Sequence, residues 1–355
     1  MIPFNPVELL SELISIQSLS KEEAPARVLI EEVLDSYGVN FKTDLNNIWS
    51  QNKYFDDSKF TVLLNSHLDT VKPNKGYTNP PYEPIIEGDK LYGLGSNDAG
   101  GALVTLLGTF LHFYNHEDLP FNLVFAASAE EEISGKNGME YLFSRLPKID
   151  FAIVGEPTLL DIATAERGLM VIDCKSIGKS GHAARKEGVN AISKAIKDIN
   201  WFNNYDFPKN SKEIGEISMS VTVINAGVQH NVVPAECSFV VDVRVNDQYS
   251  NEEVLDIIKS NVECEVAVRS TRLNSSGVSL SHPIRTVAEK LGINTYGSPT
   301  LSDQALIPCE SIKMGPGDSA RSHTADEFIF IGELEQATPK YIAVLTQLGQ
   351  ELTVS

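Results

Sequence analysis

Three short apolar runs, each ending in a cluster of polar and charged residues, constrain this chain more than any other feature. They are Phe60-Thr-Val-Leu-Leu-Asn65, Phe121-Asn-Leu-Val-Phe-Ala-Ala-Ser128 and Phe151-Ala-Ile-Val154. Each has the length of a strand, and helical segments lie between them. Asn5-Pro6 reads as the N-cap and first residue of a helix running towards Ile16. Ser20-x-x-Glu23 reads as a capping box that opens a second helix, which Gly38 can end. Ala102 to Phe113 is too short to span a bilayer and contains Thr105, Thr109 and His112, so it reads as a buried helix. This alternation predicts an α/β fold, a sheet flanked by helices. In such sheets ligands bind beyond the carboxyl ends of the strands, where the polar clusters lie.

From about Arg167 the texture changes. Leu169 to Ser176, Ile217 to Asn225, Glu236 to Val245 and Val262 to Val268 read as strands, and Val189 to Asn200 and Asn251 to Ser260 as helices. The α/β style returns with a helix near Pro283 to Leu291, the loop Ser298 to Gln304 and a closing helix from Leu334 to about Leu352. Residues 1–166 and 277–355 are therefore expected to form one domain, with 167–276 inserted as a small α+β domain. At 355 residues the chain is long enough for both. Its formal net charge of -19 argues against nucleic acid or an anionic membrane as the main partner. Met1-Ile2-Pro3-Phe4-Asn5 lacks the basic and apolar regions of a signal peptide. Cys174, Cys237, Cys264 and Cys309 are scattered and form no C-x-x-C pair. That fits a reducing cytoplasm and speaks against a disulfide framework or a thiolate zinc site.

The polar clusters carry the chemistry. In His67-Leu-Asp69, Asp69 can accept from one imidazole nitrogen and leave the other for a metal. Alone, the pair fits a structural His–Asp contact equally well. Gly93-Leu-Gly95-Ser-Asn-Asp98-Ala-Gly100-Gly101 departs from a dinucleotide fingerprint, because Asp98 stands where the third glycine belongs and would repel phosphate. A loop presenting one carboxylate to a metal pair suits it better. Glu130-Glu131-Glu132 follows the second run directly. Adjacent acids there repel unless a cation or a shared proton relieves them, which makes one a metal ligand and one a general base. Gly155-Glu156-Pro157-Thr158 repeats the arrangement, and Ser322-His323-Thr-Ala-Asp326-Glu327 supplies a late histidine. Two histidines and three carboxylates without sulfur suit zinc or a similar first-row divalent ion. His112 and His116 read as solvent-facing or capping, His282 as structural, and Cys309 as packing.

The ordered set H-x-D, G-x-G…D-x-G-G, EE, GEP-T and a late H-T-x-D-E resembles the M20 metallopeptidases over nearly the whole chain. Within them it looks most like the acetylornithine deacetylase and succinyl-diaminopimelate desuccinylase group. The resemblance implies a catalytic domain with a mixed sheet flanked by helices, as in zinc peptidases, and makes the inserted α+β block a lid and dimerisation domain. Carried over by position, His67 and Glu156 bind one ion, Glu131 and His323 the other, and Asp98 bridges. The ions implied are zinc, with cobalt as the alternative. Glu130 becomes the general base, and Asp69 holds His67. Gly178-Lys-Ser-Gly181-His182-Ala-Ala184 resembles the segment whose histidine reaches the scissile carbonyl from the partner subunit, which implies a homodimer. His230-Asn231-Val-Val-Pro234 and Asp242-Val-Arg244 match the substrate-contacting Asn231 and Arg244 positions of the lid. Asp98-Ala99-Gly100 departs from the Asp-Met-Lys of many members, which keeps the ligand and blurs the subfamily.

The reaction implied is removal of an acetyl or succinyl group from the nitrogen of a small amino acid. N-acyl-L-ornithine in arginine biosynthesis leads, because Gly155 to Thr158 followed by Ala165-Glu166-Arg167-Gly168 looks like that branch. Succinyl-diaminopimelate desuccinylase, dipeptidase and aminoacylase activities use the same constellation. A catalytically inactive metal-binding scaffold would have little reason to keep a base.

Overall fold

The computed structural model describes residues 4–185 and 187–354. Four strands, Asn122–Ser128, Thr61–His67, Phe151–Val154 and Glu310–Lys313, lie side by side in that order and run parallel. Asn47–Gln51 pairs antiparallel with the first of them and Ile162–Glu166 antiparallel with the last, so the sheet is mixed. Every residue of Thr61–His67, Asn122–Ser128 and Phe151–Val154 is buried, as parallel strands covered on both faces require. Successive side chains go to opposite faces. Val62, Leu64, Leu123, Phe125, Phe151 and Ile153 join the main core, while Leu63, Val124, Ala126, Ala152 and Val154 join a smaller one with Met139 and Leu142. Among the strands that sequence reading misses, Asn47–Gln51, Ile162–Glu166 and Glu310–Lys313 are short and carry polar residues that interrupt any apolar run.

The helices Pro6–Ile14, Ala24–Ser36, Gly101–Phe113, Pro283–Leu291 and Ile331–Val354 pack into the main core. Gly101–Phe113 is buried nearly all round. Thr105 and Thr109 fit there because each hydroxyl donates 2.8 Å to the carbonyl one turn back, of Gly101 and Thr105. Asn5 caps the first helix, its Oδ1 accepting from the amides of Val7 and Glu8 at 3.1 and 3.3 Å, and that helix ends at Ile14 rather than Ile16. The capping box expected at Ser20 and Glu23 does not form. The second helix starts at Ala24 with no side-chain cap. Ser20 Oγ donates instead to Asp69, and Glu23 accepts from the amides of Lys21 and Glu130. Among the described residues no helix is long and apolar enough to cross a membrane.

The chain divides into two compact units. The first comprises Met1–Thr164, Gly277–Tyr296 and Ser302–Ser355, and the second Ala165–Ser276 with Gly297–Leu301. Taken by itself, the second is a four-stranded antiparallel sheet in the order Ser218–Ala226, Glu236–Val245, Gly168–Ile177 and Glu265–Val268. Burial alternates along Gly168–Ile177 and Glu236–Val245, the pattern of a sheet with one covered face. Met170, Ile172, Phe239, Val241 and Val243 face Ala195 and Phe202 of the helix Ala191–Asn204 and Val254 and Ile258 of the helix Asn251–Asn261. Glu265–Val268 is shorter than its expected span because Val262 still caps the preceding helix.

Candidate metal centre

Because the four central strands of the first unit are parallel, their carboxyl ends share one edge of the sheet. The direction in which strands are added reverses between Thr61–His67 and Phe151–Val154, the kind of position where α/β sheets bind ligands. His67 ends one of these strands, Glu156 lies two residues past the other, and Glu130-Glu131-Glu132 follows Asn122–Ser128.

His67 is buried, and its Nδ1 donates to the backbone carbonyl of Asp69 at 2.8 Å. That bond leaves Nε2 3.5 Å from Asp98 Oδ1, with no hydrogen-bond partner among the described residues. Asp98 Oδ2 lies 3.5 Å from His323 Nε2, which in turn is 3.0 Å from Glu132 Oε2. Asp98 thus stands between two imidazoles. His67, Asp98 and Glu132 each offer one ligand atom within 4.8 Å of the others, and Glu132 Oε1 is buried without a hydrogen-bond partner.

The electrostatics ask for positive charge. Burial lowers the His67 pKa, but Asp69, Asp98 and Glu131 outweigh it and hold the imidazole well above its usual range. Burial, opposed by His67 and reinforced by Glu156, Asp303 and Glu132, pushes Glu131 well above the carboxylate range. Burial and Asp98 push Glu156 up to about 8 against the pull of His67 and Lys313. The bond to Glu132 raises His323 to about 9 despite burial. Carboxylates whose proton affinity is raised by burial and mutual repulsion, together with unpaired buried nitrogen and oxygen atoms, fit hard or borderline divalent cations.

At the acid triplet the geometry departs from the expectation. The sequence reading places Glu131 beside His323 and makes Glu130 the free base, but the geometry lies one residue further on. Glu132, not Glu131, meets His323 and Asp98. Glu130 sits in a left-handed turn at φ 55°, and its carboxylate accepts from Asn137, at 2.9 Å from Nδ2 and 3.4 Å from the backbone amide. A Cβ at Gly135 would lie 1.9 Å from Glu130 Oε2, so glycine alone lets the carboxylate turn that way. Glu131 is the acid subject to the charges of His67, Glu156 and Asp303. Asp69 also differs from expectation. Its carboxylate is 3.6 Å from His67 Nδ1, and it accepts instead from Ser20 Oγ at 2.7 Å and from the amides of Glu131 and Glu132 at 3.0 and 3.1 Å.

Sequence reasoning misses three supporting residues. Buried Glu327 accepts from the amides of Gly95, Asn97 and Asp98 at 3.2, 2.8 and 2.9 Å, and so shapes the turn that presents Asp98. Asn97 ties that turn to the His323 loop by donating to the Asp318 carbonyl and Ser322 Oγ and accepting from the Asp318 amide. Asp303 accepts from Ser128 Oγ at 2.5 Å. The only signal for Glu327 is its place beside Asp326 in the late motif, and Asp303, which opens the short 3-10 helix Asp303–Leu306, belongs to no motif.

His182, Asn231 and Arg244 belong to the second unit. His182 lies on an exposed ribbon, Gly181–His182 against Val232–Val233, and its Nδ1 accepts from the Ala184 amide at 3.2 Å. The Asn231 carbonyl accepts from the Ala183 amide at 3.1 Å. Arg244 already spends its fork on Asp242, with Nε and Nη2 at 2.8 and 3.1 Å from the two carboxylate oxygens.

Residues 63–350 match Peptidase family M20/M25/M40. The LysW-lysine/LysW-ornithine hydrolase of Sulfurisphaera tokodaii is 29% identical over 354 residues, 96% of this chain and 95% of that protein. The succinyl-diaminopimelate desuccinylase of Orientia tsutsugamushi is 28% identical over 277 residues, 72% of this chain and 71% of its own. Among solved structures, a Staphylococcus aureus tripeptidase superposes with a TM-score of 0.78 at 22% identity, over 98% of this chain and 100% of that one. The YXEP protein of Bacillus subtilis, a dinuclear metal binding peptidase, gives 0.72 at 16% identity over 96% of each chain. Matched over most of its length, and carrying this centre at the strand ends, the chain belongs to the M20/M25/M40 peptidase family and is a metal-dependent amidohydrolase.

Proposed function

We propose that the protein removes an N-acyl group from a diamino acid, with N-acyl-L-ornithine in arginine biosynthesis as the substrate. The names of its relatives support the class, because lysine, ornithine and diaminopimelate are all diamino acids. His67 and Glu156 hold one divalent ion in this reading and Glu132 and His323 the other, with Asp98 shared. Zinc suits the donor set, with cobalt as the alternative. The observation that carries the reading is the pair of buried atoms left without a hydrogen bond, His67 Nε2 and Glu132 Oε1. Four free cysteines support a cytoplasmic location.

Ions bound there supply the Lewis acidity that lowers the pKa of a water and polarises the amide carbonyl. The rest falls to the chain. Glu131 takes the proton of the attacking water and returns it to the departing nitrogen. The water oxygen stays on the acyl carbon, and the carbon–nitrogen bond breaks. His182 accepts at Nδ1 from Ala184, so the neutral ring carries its proton on Nε2, free to donate to the oxyanion. We assign that role across a dimer, and assign Asn231 and Arg244 to substrate binding.

Metal analysis should find two ions per chain, and chelation should abolish turnover. The specificity test compares kcat/KM for N-acetylornithine, N-succinylornithine, N-acetyl-lysine, N-acetylcitrulline and N-succinyl-diaminopimelate beside a dipeptide panel. Ornithine derivatives should lead. Preference for the diaminopimelate compound by more than about tenfold, about 1.4 kcal/mol of transition-state binding, would overturn the ornithine assignment.

A further inference from the structure

Ser20 and Glu23 have the spacing of a capping box, and both side chains turn away from that task. Ser250 and Glu253 show the same spacing used as a cap, with Ser250 Oγ accepting from the Glu253 amide at 3.1 Å and Glu253 accepting from the Ser250 amide at 2.8 Å. Glu23 is instead fully buried, and its Oε1 accepts from the Glu130 amide at 3.0 Å and the Lys21 amide at 2.6 Å. Its Oε2 accepts from Asn46 Nδ2 at 2.7 Å. Ser20 Oγ donates to Asp69 Oδ2, and Asp69 receives the next two amides, of Glu131 and Glu132. Three consecutive N–H groups thus donate to two buried carboxylates, the polarity of an anion nest. The same segment grips the other side of the centre, where Ser18 Oγ donates to the Leu68 carbonyl and the Thr70 amide donates to the Ser18 carbonyl, each at 2.8 Å.

We propose that Glu23 and Ser20 are positioning residues that hold the left-handed turn at Glu130 and thereby aim Glu131 and Glu132 into the metal centre. A non-glycine residue at φ 55° is held there only where its surroundings over-determine it, and Glu23 supplies the bond at that residue. This rests on Glu132 being a ligand. It does not rest on the identity of the substrate.

The test titrates metal-free protein with Co2+ and follows the visible absorption of the bound ion, with no turnover involved. Glu23→Ala should weaken the second cobalt about 10–100-fold and shift its band, the usual cost of losing support behind a ligand. Glu23→Gln should stay within about threefold of the parent, because its oxygen still serves Glu130 and Lys21 while Asn46 flips to face its NH2. A merely structural residue would not give that split at equal melting temperature. Unchanged binding in Glu23→Ala overturns the proposal, and so does a Glu23→Gln as impaired as the alanine. If Glu23→Ala does not fold, Ser20→Ala decides: loss of about threefold or more supports the brace, and parental binding overturns it. A parent that binds no cobalt overturns the metal centre itself, whereas a parent that binds two ions but hydrolyses no acyl-ornithine overturns only the substrate.

Discussion

One peptide unit separates two acids with different surroundings. Glu130 is engaged by Asn137, whereas Glu131 feels the charges of His67, Glu156 and Asp303. Glu131→Gln should therefore keep the fold and two metals yet lose turnover by about 10²–10⁴-fold, the usual contribution of a general base. Glu130→Gln keeps one oxygen to accept from Asn137 and puts an NH2 in place of the other, so it should stay within about tenfold of the parent, the cost of one disturbed hydrogen bond. Steady-state kinetics with metal analysis on both variants decides between neighbours. The reverse outcome would restore the assignment that the sequence suggests. Three identical residues in a row give a reader no chemical ground for choosing among them. The choice is made by a left-handed turn and by a glycine five residues downstream.

At the scale of elements, what could be read depended on how local its cause was. The Thr61–His67 and Asn122–Ser128 strands announce themselves because burial on both faces demands unbroken apolar runs, and Asn5-Pro6 because a cap is settled within one turn. Ser20 and Glu23 misled because their partners, Asp69 and Glu130, are distant in sequence. Glu310–Lys313 was illegible because its place between Phe151–Val154 and Ile162–Glu166 is what buries it. The helix Pro283–Leu291 gives a pH prediction. Its cap His282 accepts at Nδ1 from the Ile284 amide and lies 4.5 Å from the Phe151 ring. Burial lowers its pKa, with Glu310 opposing and Arg285 assisting. The folded state therefore resists a proton that the unfolded chain accepts below about pH 6.5, so this group's contribution to stability falls as pH drops through that value. His282→Asn keeps a capping oxygen and cannot titrate. Melting curves from pH 8 to 5.5 should show the parent losing more stability than the variant, and equal losses would remove His282 from the account.

At the scale of the whole molecule, the second unit offers a sheet edge with which none of the described residues pairs. Ser218–Ala226 pairs on one side only with Glu236–Val245, and Val223 and Ile224 are about half exposed on it. An open strand edge is a template for another chain, and a two-fold pairing of such edges would double the sheet and close the assembly. His182, carried on the ribbon of that same unit, would then act in the partner's site, as the resemblance to M20 enzymes implies. Glu131→Gln and His182→Ala proteins should each be inactive. In a mixed dimer, one of the two sites combines an intact Glu131 with an intact His182 from the other subunit. After random exchange of equal amounts, half the dimers are mixed, so recovery should approach about a quarter of parental activity. If His182 served its own chain, each mixed site would retain one lesion and nothing would return. No recovery after exchange has been verified by mass would remove the catalytic reason for the dimer, and leave the open edge to be explained by packing alone.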